Sequence, residues 1–184
     1  MSLVTIVCPD GCVNYLPPVL MDVCDPNVDF GQIDRIYITG NGHGLSDWTD
    51  PAEWATRLDN ATENNDTLIR TLHVAGDQPA AESSENTISL CRIVYGPKGF
   101  TINFDIDETN ITNNDAMRLI ECNQLFTFWY AAGQYLYGGT GGIRDASFVM
   151  NNVIPRGCET LNLISGVAKW KEKHSPEKIV NPLI

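Results

Sequence analysis

Hydrophobic and polar positions alternate most cleanly between Phe100 and Asp107. Ile102, Phe104 and Ile106 fall on one face, and Asn103, Asp105 and Asp107 on the other. That period of two belongs to a strand with one face buried and one in water. A second strand is predicted over Thr87–Tyr95, joined to the first by a hairpin turn at Gly96-Pro-Lys-Gly99. Ile33–Thr39, opened by Gly31, is β-branched and aromatic and reads as a strand, and so does Leu68–Ala75. Gly76 through Glu85 is polar and reads as a loop. Tyr135–Tyr137 and Phe148–Met150 flank a glycine-rich turn at Gly138–Gly142. The last clear strand runs from Glu159 to Lys171, with Leu161, Leu163 and Val167 expected inward and Gly166 as a bulge. Pro176 and Pro182 are expected to end regular structure.

Two segments carry the helical period instead. Asp50 can cap a helix with Pro51 in its first turn and Glu53 three residues on, as in a capping box. Trp54, Ala55 and Leu58 then share a face, and the helix is expected to fray near Asn60. Thr112 and Asp115 mark a second start, with Ala116, Leu119 and Ile120 as its apolar face and an end near Leu125. Phe126–Ala132 fits either an extension of that helix or a new strand. The sum is a mainly β fold with seven or eight strands and two short helices, a β-sandwich or β-barrel with inserted helices. Residues 1–30, with Pro9, Pro17, Pro18 and Pro26, read as an extended arm that includes a short strand at Leu3–Val7, and residues 31–184 as a single β-rich domain.

Composition narrows the function more than the fold. An apolar fraction of 43% with 19% charged residues is that of an ordinary folded chain, long enough at 184 residues to bury a core. The net charge of −11 is spread along the sequence. Such a surface repels phosphates, which argues against a nucleic-acid grip and suits either solubility or an inert wall past which DNA slides. The one basic concentration, Lys169, Lys171 and Lys173, reads as the solvent face of a strand. The opening Met1-Ser-Leu-Val-Thr-Ile-Val-Cys8 lacks the basic start of a signal peptide, and no run approaches the roughly 18 residues of a membrane span. The sequons at Asn60, Asn65 and Asn110 are therefore read as chance matches. Cys8, Cys12 and Cys24 are spaced unlike a zinc knuckle and lack an evident fourth ligand, unless His43 or Cys91 supplies it. Free thiols are the leading reading for all six cysteines, Cys122 and Cys158 among them, with a late disulfide and a zinc site as alternatives.

No catalytic signature survives inspection. Gly138–Gly142 has neither the Lys-Ser/Thr of a phosphate loop nor the βαβ setting of a dinucleotide fold. His43 with Asp47 could form a polar pair, but His43, His73 and His174 sit in no catalytic motif. Asp105 and Asp107 share a strand face that could hold a cation, yet with Glu108 they lack calcium-loop spacing. No catalytic, cofactor-binding or metal residues are assigned, and no cofactor is expected. Trp48, Trp54, Phe126, Phe128, Trp129, Tyr130, Tyr135 and Tyr137 are read as filling between helix and sheet, with an exposed anchor at a subunit contact as the alternative.

The Cys- and Pro-bearing arm, Gly31-Gln-Ile-Asp-Arg-Ile-Tyr37, Trp48-Thr-Asp-Pro-Ala-Glu-Trp54, the Tyr137-Gly-Gly turn and the ending from Val167-Ala-Lys-Trp170 to Asn181-Pro-Leu183 together resemble small virion structural proteins of tailed phages of gut Bacteroidales, including the crAss-like phages. The resemblance implies a non-enzymatic particle component, assembled in the host bacterial cytoplasm: a ring or tube subunit of the tail with a tail-tube-like barrel, or a capsid auxiliary protein. Its partners would be copies of itself and other virion proteins, without a membrane or sequence-specific nucleic acid. The alternative is a monomeric ligand- or carbohydrate-binding β-sandwich module.

Overall fold

The computed structural model describes residues 31–59, 66–89, 92–122, 125–156 and 162–184. The N-terminal arm, its Leu3–Val7 strand and the Cys8, Cys12 and Cys24 group lie outside the described residues, as do Cys91, Cys158, Asn60 and Asn65. Cys122 is exposed and free.

Six strands close into an antiparallel barrel. In chain order the strands are β1 (Ile33–Gly40), β2 (Arg70–Asp77), β3 (Glu82–Ser89), β4 (Arg92–Ile106), β5 (Phe126–Ala132), β6 (Tyr135–Tyr137), β7 (Ile143–Val153), β8 (Leu163–Glu172) and β9 (Lys178–Val180). The path β1-β2-β4-β8-β7-β5 returns to β1, because β5 pairs along the whole of β1 from Ile33↔Ala132 to Gly40↔Phe126. Closure removes the exposed edges that an open sheet would present. A barrel, not a two-sheet sandwich, is thus the form taken. Outside it, β6 and β9 extend the sheet from β5, and β3 pairs with β4 alone.

Two hydrophobic clusters hold this arrangement. The barrel interior is filled by rings: Phe104, Phe126 and Phe128 surround Phe148 at centroid distances of 6.3, 5.8 and 5.4 Å, and Trp170 stacks on Phe100 at 5.2 Å. The second cluster lies on the outer wall of β1 and β5. There Tyr37, Trp129 and Ala131 are covered by α1 (Pro51–Arg57) and the loop before it, through Leu45, Trp48 and Trp54. Trp54 meets Tyr37 and Trp129 edge to face, each at 5.3 Å. β5 is therefore buried on both faces, which is why it has no polar alternation. Of the aromatics read as filling, Trp48, Trp54, Phe126, Phe128, Trp129 and Tyr130 are buried, and Tyr135 and Tyr137 half-buried.

Several local expectations are corrected. Gly96-Pro97 is not a turn: β4 runs straight through it, and the register steps from Ser83↔Lys98 to Glu85↔Tyr95, leaving one extra residue on β4. Proline, having no N–H to donate, is tolerated at such a bulge. β3 starts at Glu82, inside the stretch read as loop. In β8 the phase is opposite to that expected, with Ile164, Gly166, Ala168 and Trp170 inward and Leu163 and Val167 on the other face; Leu161 lies outside the described residues. Gly166 is no bulge, since it pairs in register with both Phe104 and Met150. A Cβ there would lie 2.4 Å from Cζ of Phe104, so the glycine makes room for that ring.

The helices are shifted as well. Asp50 caps α1 through Ala52 N–H at 2.9 Å, but Glu53 accepts from Ser46 and Asp47 N–H (2.8 Å each), not from Asp50 as a capping box requires. α1 ends at Arg57. The second helix, α2 (Ile111–Cys122), is capped by Asn110, whose Oδ1 accepts from Asn113 N–H at 2.7 Å, so Thr112 is already inside it. Its inward face carries Met117 and Ile120, which reach the barrel cluster, while Ala116 and Leu119 are exposed. β9 forms between Pro176 and Pro182, where regular structure was expected to end.

Candidate functional site

Residue chemistry gives the candidate catalytic groups structural roles, and geometry disperses them. Asp47 accepts from Thr49 N–H at 2.9 Å and from Thr49 Oγ1–H at 2.6 Å, and these bonds hold its carboxyl below the usual carboxylate range. His43 is exposed, and its carbonyl accepts from Arg57 at 2.8 Å. His73 on β2 and His174 after β8 are exposed and lie on separate elements. Asp105 on β4 and Asp107 just beyond its end are both exposed, as the alternation predicts. Among the described residues, no group of three or more His, Cys, Asp or Glu side chains converges as metal ligands would.

The glycine-rich turn is built around a tryptophan. Gly138, Gly139 and Gly142 have φ of 140°, 77° and 69°, a backbone region that side chains disfavour. A Cβ on Gly138 would lie 2.6 Å from Cδ1 of Trp129, and one on Gly142 would lie 2.8 Å from Cζ2. The Trp129 indole N–H donates to the Gly139 carbonyl at 2.8 Å. The loop thus clasps the indole with its glycine backbone, and its carbonyl takes the ring's one donor.

What remains uncommitted is surface. Two features stand out. The first is the β3–β4 ribbon. β4 meets β8 only from Lys98 onward and β2 only from Asn103, so among the described residues β3 is the one strand paired with Arg92–Pro97. Among the described elements, β3 makes extensive contact with β4 alone. Among the described residues, the ribbon therefore extends past the barrel with no strand paired to its outer edges. The second is the outer face of β4, β8 and β7, on the side of the barrel away from α1. Its central row runs Asn103, Val167 and Val149 across the three strands, and the next runs Thr101, Lys169 and Ser147. With the loop at Pro79–Glu82 and the exposed Leu125, all of these residues except Val149 border an open groove of about 950 Å³. Lys169 and Lys171 stand exposed on it, as the sequence pattern indicates.

Neither feature was singled out by sequence reasoning. The ribbon was hidden because Gly96-Pro-Lys-Gly99 imitates a turn, and the groove because Val167 was assigned to the interior. The signal that could have found the groove is the pairing of Val167 with the small neighbours Gly166 and Ala168, which suits a core already filled by aromatic rings. Compared with known proteins, the chain matches no family model, no curated protein and no solved structure. No helix among the described residues is long and apolar enough to cross a membrane.

Proposed function

We propose that this chain is a non-enzymatic assembly subunit whose β3–β4 ribbon joins it to a neighbouring subunit. The ribbon is the observation that carries the reading. A two-stranded ribbon is marginal in water, and the N–H and C=O groups on its outer edges, which have no partner strand among the described residues, form a template for another strand. Strand addition to a neighbour gives those groups partners and builds a chain-to-chain contact from backbone alone. The particle in question is a phage particle, with the subunit in a ring or tube of the tail or on the capsid. The sequence resemblance supports that choice, and the net charge of −11 suits a lumen through which DNA must pass without sticking.

Light scattering coupled to size-exclusion chromatography tests the reading. The full chain should form oligomers whose mass rises with concentration. Replacing the residues between Ser83 and Lys98 with a two-residue Asn-Gly turn should abolish them. The barrel of that variant should keep its circular dichroism and cooperative melting, because β4 joins β8 only from Lys98 on. A full chain that stays monomeric at high concentration would overturn self-assembly through the ribbon and favour a monomeric ligand- or carbohydrate-binding module.

A further inference from the structure

α2 leaves a slot where it lies against the barrel. β4 ends at Ile106 and pairs with β2 only at Ala75–Asp77. Among the described residues, no strand therefore lies beside Thr71–His73 on the side away from β1. From β4 the chain passes through Asp107 and Glu108 into α2, which packs chiefly on β7. Asn152 Nδ2 ties the two together by donating to Asn114 Oδ1 at 2.8 Å. Between α2 and the unaccompanied stretch of β2 lies a cavity of about 130 Å³.

Its floor and its mouth differ in chemistry. Ile106, Met117, Met150 and Ile164 on the floor are buried members of the barrel cluster, and Leu72 and Ile120 pack against them half-buried. Water there would find few hydrogen-bond partners, whereas an aromatic ring fills an apolar cavity of about this size. The two thioethers adapt readily to a ring edge. The mouth is polar and exposed, formed by Asp107 and Glu108 from the link between β4 and α2 and by His73 from β2. Glu108 is held in place: its Oε1 accepts from Asn110 Nδ2–H at 2.9 Å, and its carbonyl from Asn113 Nδ2–H at 2.8 Å. The described residues that line the cavity include no Lys or Arg. An apolar floor under a mouth with two carboxylates suits a small cation with a hydrocarbon body.

We infer that the slot under α2 binds a small aromatic or branched aliphatic amine. The hydrocarbon part lies against Met117 and Met150, and the ammonium sits at Asp107 and Glu108. The site goes beyond the assembly role and is separate from it, since no lining residue belongs to β3 or to Arg92–Pro97 of β4.

Benzylamine is the probe, with benzyl alcohol and benzoate as its neutral and anionic counterparts of similar size. In the full chain labelled with ¹³C-methyl methionine, the Met117 and Met150 signals are assigned through M117L and M150L. Both should shift on titration with benzylamine, with a Kd in the millimolar range expected of so small a ligand. Benzyl alcohol should bind about tenfold more weakly, having lost a charge-assisted hydrogen bond, and benzoate should not bind. In D107N/E108Q, two exposed positions, benzylamine should weaken by about tenfold to match the alcohol. Ala116→Phe, which sets a ring into the slot from an exposed position of α2, should abolish the shifts. Unmoved methionine signals in the unmutated chain at about 20 mM benzylamine would overturn the site. Equal affinity for the amine and the alcohol, or no change in D107N/E108Q, would overturn the class of ligand. Shifts that persist in a folded Ala116→Phe chain would refute the placement. The signals are read whatever the oligomeric mass, so failure here leaves the ribbon-mediated assembly standing.

Discussion

Single side chains set the backbone around them, and the effect is largest where glycine faces an aromatic ring. Trp129 is fully buried and has the glycine loop wrapped around it. Trp129→Phe should cost about 1–2 kcal/mol in urea unfolding, since the Gly139 carbonyl loses its donor while most of the packing stays. Gly142→Ala should cost more, because its Cβ would meet Thr127 Cγ2 at 2.5 Å at a φ of 69°. Gly166→Ala, which collides with Phe104, should destabilise by about 1–3 kcal/mol, and Phe104→Leu in the same chain should recover part of that loss in a double-mutant cycle. Glu172 behaves differently: burial pushes its carboxyl above the ordinary 4.5. With the folded value above the unfolded one, the folded state holds the proton more tightly, so this group lowers stability as pH rises from 4.5 through the folded value. Glu172→Gln should remove that decline. The stability difference between variant and parent, measured by urea titration at pH 4 and pH 7, should therefore favour the variant more at pH 7.

At the level of elements, the β1–β2 connection is tied together by one guanidinium. Arg57 donates to the carbonyls of Thr67 (2.8 Å), Gly44 (2.7 Å) and His43 (2.8 Å), and so joins the end of α1 to segments on either side of it. Arg57→Ala should lower thermal stability and open these loops to proteolysis, with a loss of about 1–2 kcal/mol because the site is partly wet. Arg57→Lys should rescue little of it, as one ammonium cannot reproduce the planar fork. Elements of this kind were legible in the sequence wherever one face met water. The second half of β4 announced itself by alternation, β1 by its β-branched and aromatic content, and α1 by Asp50 and Pro51. β5 was ambiguous because both its faces are buried. β8 was read in the wrong phase because its outer face carries Leu163 and Val167 while its inner face carries Gly166 and Ala168. Size, not polarity, decides its orientation, since the rings of Phe104 and Phe148 leave room only for small partners. Leu119 misled in the same way, as an apolar residue on the solvent side of α2.

For the whole molecule, the sequence told that the chain is mainly β with two helices but not that its sheet closes. Closure depends on β1 recognising β5, and nothing near either strand signals a partner so distant. The candidate surfaces were illegible for a related reason: an open strand edge is a property of pairing, which local composition does not encode. Closure also has a consequence in time. Strands β2, β3 and β4 follow β1 during synthesis, but β5 emerges roughly ninety residues after it, which at ordinary ribosomal rates means on the order of 5–20 s. During that wait Ile36, Tyr37 and Ile38 sit on a strand with one edge unpaired and neither face covered by β5 or by Trp129. Non-local pairings of this kind slow folding. Refolding from urea should accordingly show its slowest protection, by pulsed hydrogen exchange, at the β1–β5 amides, with the β3–β4 hairpin amides protected earlier. Until β5 has been made, that uncovered apolar strand is a surface of the kind holding chaperones bind.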